Sequence, residues 1–185
     1  PLTAPSISVK LSALHPRYEV AQRDRVFAEL VPAIKKLALQ AKRAGIGFTI
    51  DAEEMDRLEL SLDLIEQLAL DPDLAGWNGF GMAVQAYAKR ALPVIEWLAD
   101  LARRADRRLL VRLVKGAYWD AEIKLAQERG FDDYPVFTRK ASTDVSYLAC
   151  AKCLLADPVA FYPAFATHNA HTVAALPQQV GAGVH

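Results

Sequence analysis

Short apolar runs alternate with longer amphipathic stretches along the whole chain, and few folds accept that alternation. Residues 7–11 alternate as a short strand. Residues 17–44 read as one long helix, with Phe27, Leu30, Val31, Ile34, Leu37, Leu39 and Ala41 mostly on one broad stripe, and Gly45 and Gly47 close it. Phe48-Thr49-Ile50 is a compact strand. Residues 57–70 form the next helix, with Leu58, Leu62, Ile65 and Leu68 in register, and Asp71-Pro72-Asp73 breaks it. Residues 79–87 are a strand candidate. Pro93 suits the first turn of a helix reaching about Ala105. Residues 109–114 form an apolar strand interrupted by Arg112, and 120–128 a helix closed by Gly130. Residues 136–140 fit a short strand or an extended loop equally well. Asp144 is placed to cap a helix over 145–155. Residues 164–167 read as the last strand, and 170–176 begin a helix. About five strand–helix units in succession predict an α/β fold with a parallel sheet.

Periodicity does not separate a barrel from an open sheet. The polar residues favour a barrel. Lys10, Asp51, Gln85, Arg112 and His168 all fall in or at the end of a predicted strand. In a barrel those positions converge on one rim, where active sites are built.

Charge and composition narrow the function. Lys+Arg and Asp+Glu are both 22, so no basic excess argues for nucleic acid. No run of 18 uncharged apolar residues suggests a membrane span, and the first residues do not read as an export signal. From 141 to 185 the only charged residues are Asp144, Lys152 and Asp157, which suggests a covered segment. That depletion, the opening near a strand and the Gly-Ala-Gly-Val-His ending suggest a piece of something longer.

The polar residues carry competing readings. Asp51, directly after Phe48-Thr49-Ile50, can bind a cation or position a base. It can equally cap a helix, with Glu54 completing a capping box. Asp51-Ala52-Glu53-Glu54 lacks convincing metal-ligand spacing, so no metal is expected. An arginine inside an apolar strand is costly without a partner. Arg112 therefore either pairs with Asp51 or Glu53, or holds an anion or electron-rich ring at a barrel mouth; the second reading is preferred. No GxxxxGK[ST] and no GxGxxG occurs. Tyr118 and Trp119 are a packing lid or a stacking surface. Lys115, Arg139 and Lys140 extend an electropositive rim suited to an anionic small molecule, although Arg139 alone reads as an ordinary solvated loop residue. His168 is a base, a ligand, a hydrogen-bond donor to a cofactor or a satisfied buried histidine, and His171 could face the same way; two histidines alone make no metal site. Cys150 and Cys153 form a single CxxC inside a predicted helix, a poor place for a redox disulfide, and read as structural. Residues 103–108 are a basic run at the opposite rim and read as a solvated face first, and as a phospholipid or partner contact second. Trp77 reads as loop packing.

The chain resembles the proline dehydrogenase domain of bifunctional bacterial proline utilization A proteins. The resemblance rests on residues 8–18, Asp51-Ala52-Glu53-Glu54, Gly76-Trp77-Asn78-Gly79, Gln85-Ala86-Tyr87, residues 112–120, Thr138-Arg139-Lys140, residues 144–152 and residues 165–171. These segments are co-linear and cover nearly the whole chain. The resemblance implies a distorted (βα)8 barrel that binds FAD non-covalently. It implies oxidation of L-proline to Δ1-pyrroline-5-carboxylate, with electrons passed to a membrane quinone. By the same resemblance, Gln85, Arg112, Lys115, Ala117, Trp119, Thr138, Lys140, His168 and Asn169 line the FAD. Lys10, Asp51 and Tyr118 belong to the proline-facing side, and together with Arg112, beside the flavin ring, they are the implied catalytic residues. An aldehyde dehydrogenase domain in the same full-length chain is implied, as are a cytoplasmic location and peripheral attachment to the inner membrane. Homo-oligomerisation stays open, and no nucleic-acid contact is expected from this segment.

Relative to the family, residues 1–185 are expected to cover about five barrel units. The first strand, the last two strands and the final helix are missing, and a chain with nothing beyond these units is expected neither to close the barrel nor to turn over proline. Two alternatives remain: another barrel enzyme acting on an anionic small molecule, or an inactive interaction fragment whose strand-end charges only pair with each other.

Overall fold

The computed structural model describes residues 4–181, so most of the Gly-Ala-Gly-Val-His ending lies outside the described residues. The elements are β1 (Ser6–Val9), α1 (Leu11–Leu14), α2 (Arg23–Ala44), β2 (Gly47–Ile50), α3 (Leu58–Ala69), β3 (Phe80–Gln85), α4 (Ala91–Arg104), β4 (Leu109–Val114), α5 (Trp119–Glu128), α6 (Lys140–Ala156), β5 (Phe161–Phe165) and α7 (Ala170–Gly181).

The five strands form one parallel sheet in the order β1-β2-β3-β4-β5. Every strand lies beside its neighbours in sequence. A doubly wound sheet reverses its strand order at a switch point; this sheet does not, and its order is that of a barrel wall.

Helices cover one face of the sheet. Val26, Leu30, Val31, Ile34, Ala38 and Ala41 of α2 are buried, as are Leu60, Leu64, Ile65 and Leu68 of α3 and Val94, Ile95, Leu98 and Leu101 of α4. Spacings of three and four place each set on one helix face. Leu109, Val111 and Leu113 of β4 are buried while Leu110, Arg112 and Val114 are partly exposed, so the strand has a helix side and an open side. The helix side holds the core; the open side carries the site.

Several expectations are corrected. The long helix starts at Arg23, not Arg17. Tertiary contacts keep the preceding segment out of the α-helix, with one 3-10 turn at Val20–Gln22: buried His15 meets Glu29 at 3.0 Å, and the buried Tyr18 hydroxyl meets Ser61 Oγ at 2.7 Å. The last strand is Phe161–Phe165, three residues earlier than expected at its start. The strand takes in Pro163 because β5 pairs only with β4 among the described strands, and an edge strand tolerates a missing N–H. Residues 136–140 are not a strand; one antiparallel bridge, Ala88 to Val136, ties that loop to the end of β3. Asp144 does not cap a helix. It lies inside α6, which starts at Lys140. The basic run at 103–108 is not wholly a solvated face: Arg107 is only 7% exposed, while Arg103 pairs with Asp157 and Arg104 with Glu66 and Asp100. Cys150 and Cys153 are free thiols in α6, raised in pKa by burial, in keeping with a structural role. Trp77 packs on Phe80 with ring centroids 6.5 Å apart.

Candidate active site

The register of the sheet builds the site. Val9 pairs with Ile50, Ile50 with Met82, Ala83 with Arg112 and Arg112 with Ala164. Continuing the first two pairings by one residue gives a cross-sheet row: Lys10, Asp51, Ala83, Arg112, Ala164. Two rungs toward the strand C-termini, Gln85 pairs with Val114. Alternation puts all of these on the open face.

All of these except Ala164 line a cleft of about 840 Å3 at the C-terminal ends of the strands. Lys10, Asp51, Gln85, Arg112, Lys115, Ala117, Tyr118, Lys140, His168 and Asn169 all border it. Of the residues expected to line the cofactor, Trp119 and Thr138 do not border the cleft. Trp119 opens α5 and donates from its indole N–H to the Phe137 carbonyl at 2.9 Å; Thr138 is exposed in the next loop position. His168 is exposed rather than a satisfied buried histidine. His171, in the first turn of α7, is exposed and does not border the cleft. Asn169 also has a structural role, since its Oδ1 accepts from the Thr172 N–H at 3.0 Å and caps α7.

The charges within the cleft are organised in pairs. Arg112 donates to Asp51 Oδ1 and, at 2.7 Å, to Ser8 Oγ. The small Ala83 lies between the two charged positions in the row and leaves room for the guanidinium to cross. Asp51 makes no helix cap; the capping-box reading gives way to this pair. Lys10 donates to the Tyr118 hydroxyl at 3.0 Å. That bond, reinforced by Asp51 and Glu53, holds the Lys10 pKa above its usual value and outweighs partial burial. Lys115 and Lys140 both pair with Asp144, whose carboxyl is held below its usual pKa by Lys115 first and Lys140 second. The cleft therefore presents Lys10, Arg112, Lys115 and Lys140 against the carboxylates of Asp51 and Asp144, a cationic excess in a neutral chain.

The floor is made of small groups. Ala83, Gly116, Ala117 and Ala166 border the cleft, with Val114 and Phe165 beside them. Sequence reasoning missed Ala52, Ala83, Val114 and Phe165, because a small or apolar side chain announces no chemistry; period-2 alternation with Gln85 and Arg112 could have found Ala83 and Val114, while Ala52 and Phe165 are out of phase with that row. Gly116 sits at φ +140°, and a Cβ there would lie 2.4 Å from the Tyr87 ring. Glycine lets the chain leave β4 tight against that ring and turn the Ala117 N–H toward Gln85, whose Oε1 accepts it at 3.2 Å. Among the described residues no group of three His, Cys, Asp or Glu side chains gathers to hold a metal ion, and no helix is long and apolar enough to cross a membrane.

Comparison with known proteins agrees with this geometry. The proline dehydrogenase family model matches residues 1–183. The bifunctional protein PutA of Klebsiella aerogenes is 64% identical over 177 residues, 96% of this chain and 14% of that protein. A crystal structure of proline utilization A from Bradyrhizobium japonicum superposes with a TM-score of 0.94 at 61% identity, covering 96% of this chain and 18% of that one. The proline utilization A structure from Bdellovibrio bacteriovorus, inactivated by N-propargylglycine, gives 0.90 at 32% identity, covering 95% of this chain and 18% of that one. The chain thus spans about one-seventh of the length of the curated PutA relative. With its family match and its strand order, this chain belongs to the proline dehydrogenase family and forms part of its barrel.

Proposed function

We propose that this chain forms part of a flavin-dependent L-proline dehydrogenase, whose product is Δ1-pyrroline-5-carboxylate. The observation that carries the reading is the meeting of Lys10, Asp51, Gln85 and Arg112 on one cleft in a chain of this family. The cleft suits a large flat anionic cofactor. Its volume is in the range of cofactor sites. Its small-residue floor admits a planar ring, and Lys115 and Lys140 offer cations to a pyrophosphate. Gln85, Arg112, Lys115, Ala117, Lys140, His168 and Asn169 would hold FAD, with Trp119 at the start of α5 and Thr138 in the following loop contributing from beside the cleft. When bound, FAD supplies a two-electron acceptor.

The oxidation removes a hydride from the ring carbon beside nitrogen and a proton from nitrogen, leaving a C=N bond. The chain's residues set the charge around that change. Arg112, bordering the cleft, would supply a fixed positive charge that favours the negative charge gained on reduction. Its pairing with Asp51 fixes the guanidinium in place beforehand. Lys10, kept protonated by Tyr118, faces the substrate side with Asp51 and holds charge and geometry. Ala83 and Val114 keep the wall apolar and limit water. In the full-length protein the electrons pass on to a membrane quinone through peripheral attachment of a cytoplasmic enzyme, and an aldehyde dehydrogenase domain in the same chain oxidises the hydrolysed product further.

The test is a visible absorption spectrum of the full-length protein, followed by anaerobic addition of L-proline. Flavin bands that bleach with proline are expected. A folded protein without flavin bands would return the cleft to another class of anionic ligand.

A further inference from the structure

Glu53 does not border the cleft, yet it is only 5% exposed, and its bonds reach Gln85 on the cleft wall and Ser12, two residues after the cleft residue Lys10. Its Oε1 accepts from the Ser12 backbone N–H at 3.0 Å, and its Oε2 accepts from the Ser12 hydroxyl. Arg57 stands behind it, with Nη1 at 3.5 Å from Oε2. Ser12 is the second residue of α1. Lys10 is the residue at the N-terminal cap of that helix, and its own side chain makes no capping bond. The Lys10 side chain points instead to Tyr118 in the cleft. Glu53 thus supplies the cap from another loop, satisfying an N–H that would otherwise lack a partner. The backbone carbonyl of Glu53 accepts from Gln85 Nε2 at 2.9 Å, and Gln85 Oε1 in turn accepts from the Ala117 N–H. One buried residue therefore ties the loop after β1, the end of β3 and the loop after β4 to the end of β2.

We propose that Glu53 is a positioning residue for the substrate side of the cleft, acting chiefly through α1 to hold Lys10 in reach of Tyr118. A carboxylate that served only to stabilise the fold could have bound any of these loops. This one binds the turn that starts from Lys10, and its carbonyl accepts from the Gln85 amide at the C-terminal end of β3. The inference rests on the proposed function above.

The experiment is a double-mutant cycle in the full-length, flavin-loaded protein, reading the rate of flavin bleaching by L-proline in a single anaerobic turnover. Glu53→Ala is expected to slow bleaching on the order of tenfold to a hundredfold, the scale of a small misplacement in a reacting geometry, with flavin content retained. Glu53→Gln, which keeps an acceptor for the Ser12 N–H, is expected to restore most of the rate. In a Lys10→Met background, Glu53→Ala is expected to add little. An unchanged rate in flavin-loaded Glu53→Ala, or a slowing that multiplies independently with Lys10→Met, would overturn the inference while leaving the proposed function standing. Should Glu53→Ala fail to fold, Ser12→Ala in the same cycle decides the matter: a smaller slowing that disappears in the Lys10→Met background supports the inference, and an unchanged or independent rate overturns it. An unsubstituted protein that proline does not bleach overturns the proposed function and this inference with it.

Discussion

Arg112 shows how one residue answers two readings at once. It pairs with Asp51, as a structural arginine would, and it borders the cleft, as a functional one would. Both partners are partly exposed, at 32% and 20%, so the pair contributes only about 1 kcal/mol to stability. Arg112→Met should therefore leave the fold intact, with a small fall in melting temperature, while slowing flavin reduction by proline by about 100-fold or more. Circular dichroism melts and stopped-flow bleaching separate the two effects. Glu122 gives a pH prediction. It is buried at the start of α5 and accepts from the Met55 N–H at 2.7 Å. Burial raises its pKa above the ordinary 4.5. The folded state therefore favours the protonated carboxyl. The stability this contributes is present below pH 4.5 and is lost as pH rises through the raised value. Glu122→Gln keeps an acceptor and cannot ionise. It should flatten the dependence of melting temperature on pH across the weakly acidic range and leave the protein at least as stable at neutral pH. A steeper dependence in the variant would contradict this account.

At the scale of elements, the close approach of β3 and β4 sets the shape of the cleft. Gly81 pairs with Leu110, and a Cβ at Gly81 would lie 1.7 Å from the Leu110 carbonyl oxygen. Backbone cannot yield as a flexible side-chain tip does. Gly81→Ala should cost about 3 kcal/mol or more, read as a lowered denaturant midpoint with an unchanged slope. Leu64→Ala, by contrast, removes a fully buried side chain from α3 that does not border the cleft. It should cost about 2–5 kcal/mol and leave the bleaching rate of the folded fraction unchanged. Strands β2, β3 and β4 and the helix cores were legible from apolar spacing. The onset of α2 was not, because His15 and Tyr18 are held by partners far along the chain. The start of β5 was not, because whether Pro163 is tolerated depends on which strand edge is paired.

For the whole molecule, ligand binding and stability are linked. If the cleft holds FAD in the native state alone, free flavin at about 100 times its dissociation constant stabilises that state by about 2.7 kcal/mol. Stripping the flavin from the full-length protein should lower the unfolding temperature of the barrel, and adding FAD back should restore it. No shift on stripping would place the flavin elsewhere. The strand order matters here too. Neighbours in sequence are neighbours in the sheet, so successive strand-end loops gather at one rim and one ligand can touch all of them.

Residue spacing alone decided that this chain alternates strand and helix, because apolar period is a local property that any packed α/β fold must satisfy. Residue type alone marked Lys10, Asp51, Gln85, Arg112 and His168, because polar groups at strand ends are costly unless a partner or a ligand meets them. Only the tertiary structure decided who meets whom. Register across three strands brought Arg112 over Ala83 to Asp51, and placed Glu53 behind the cleft rather than in it. Register is a relation between strands, set by packing and backbone hydrogen bonds at a distance, and no single segment carries it.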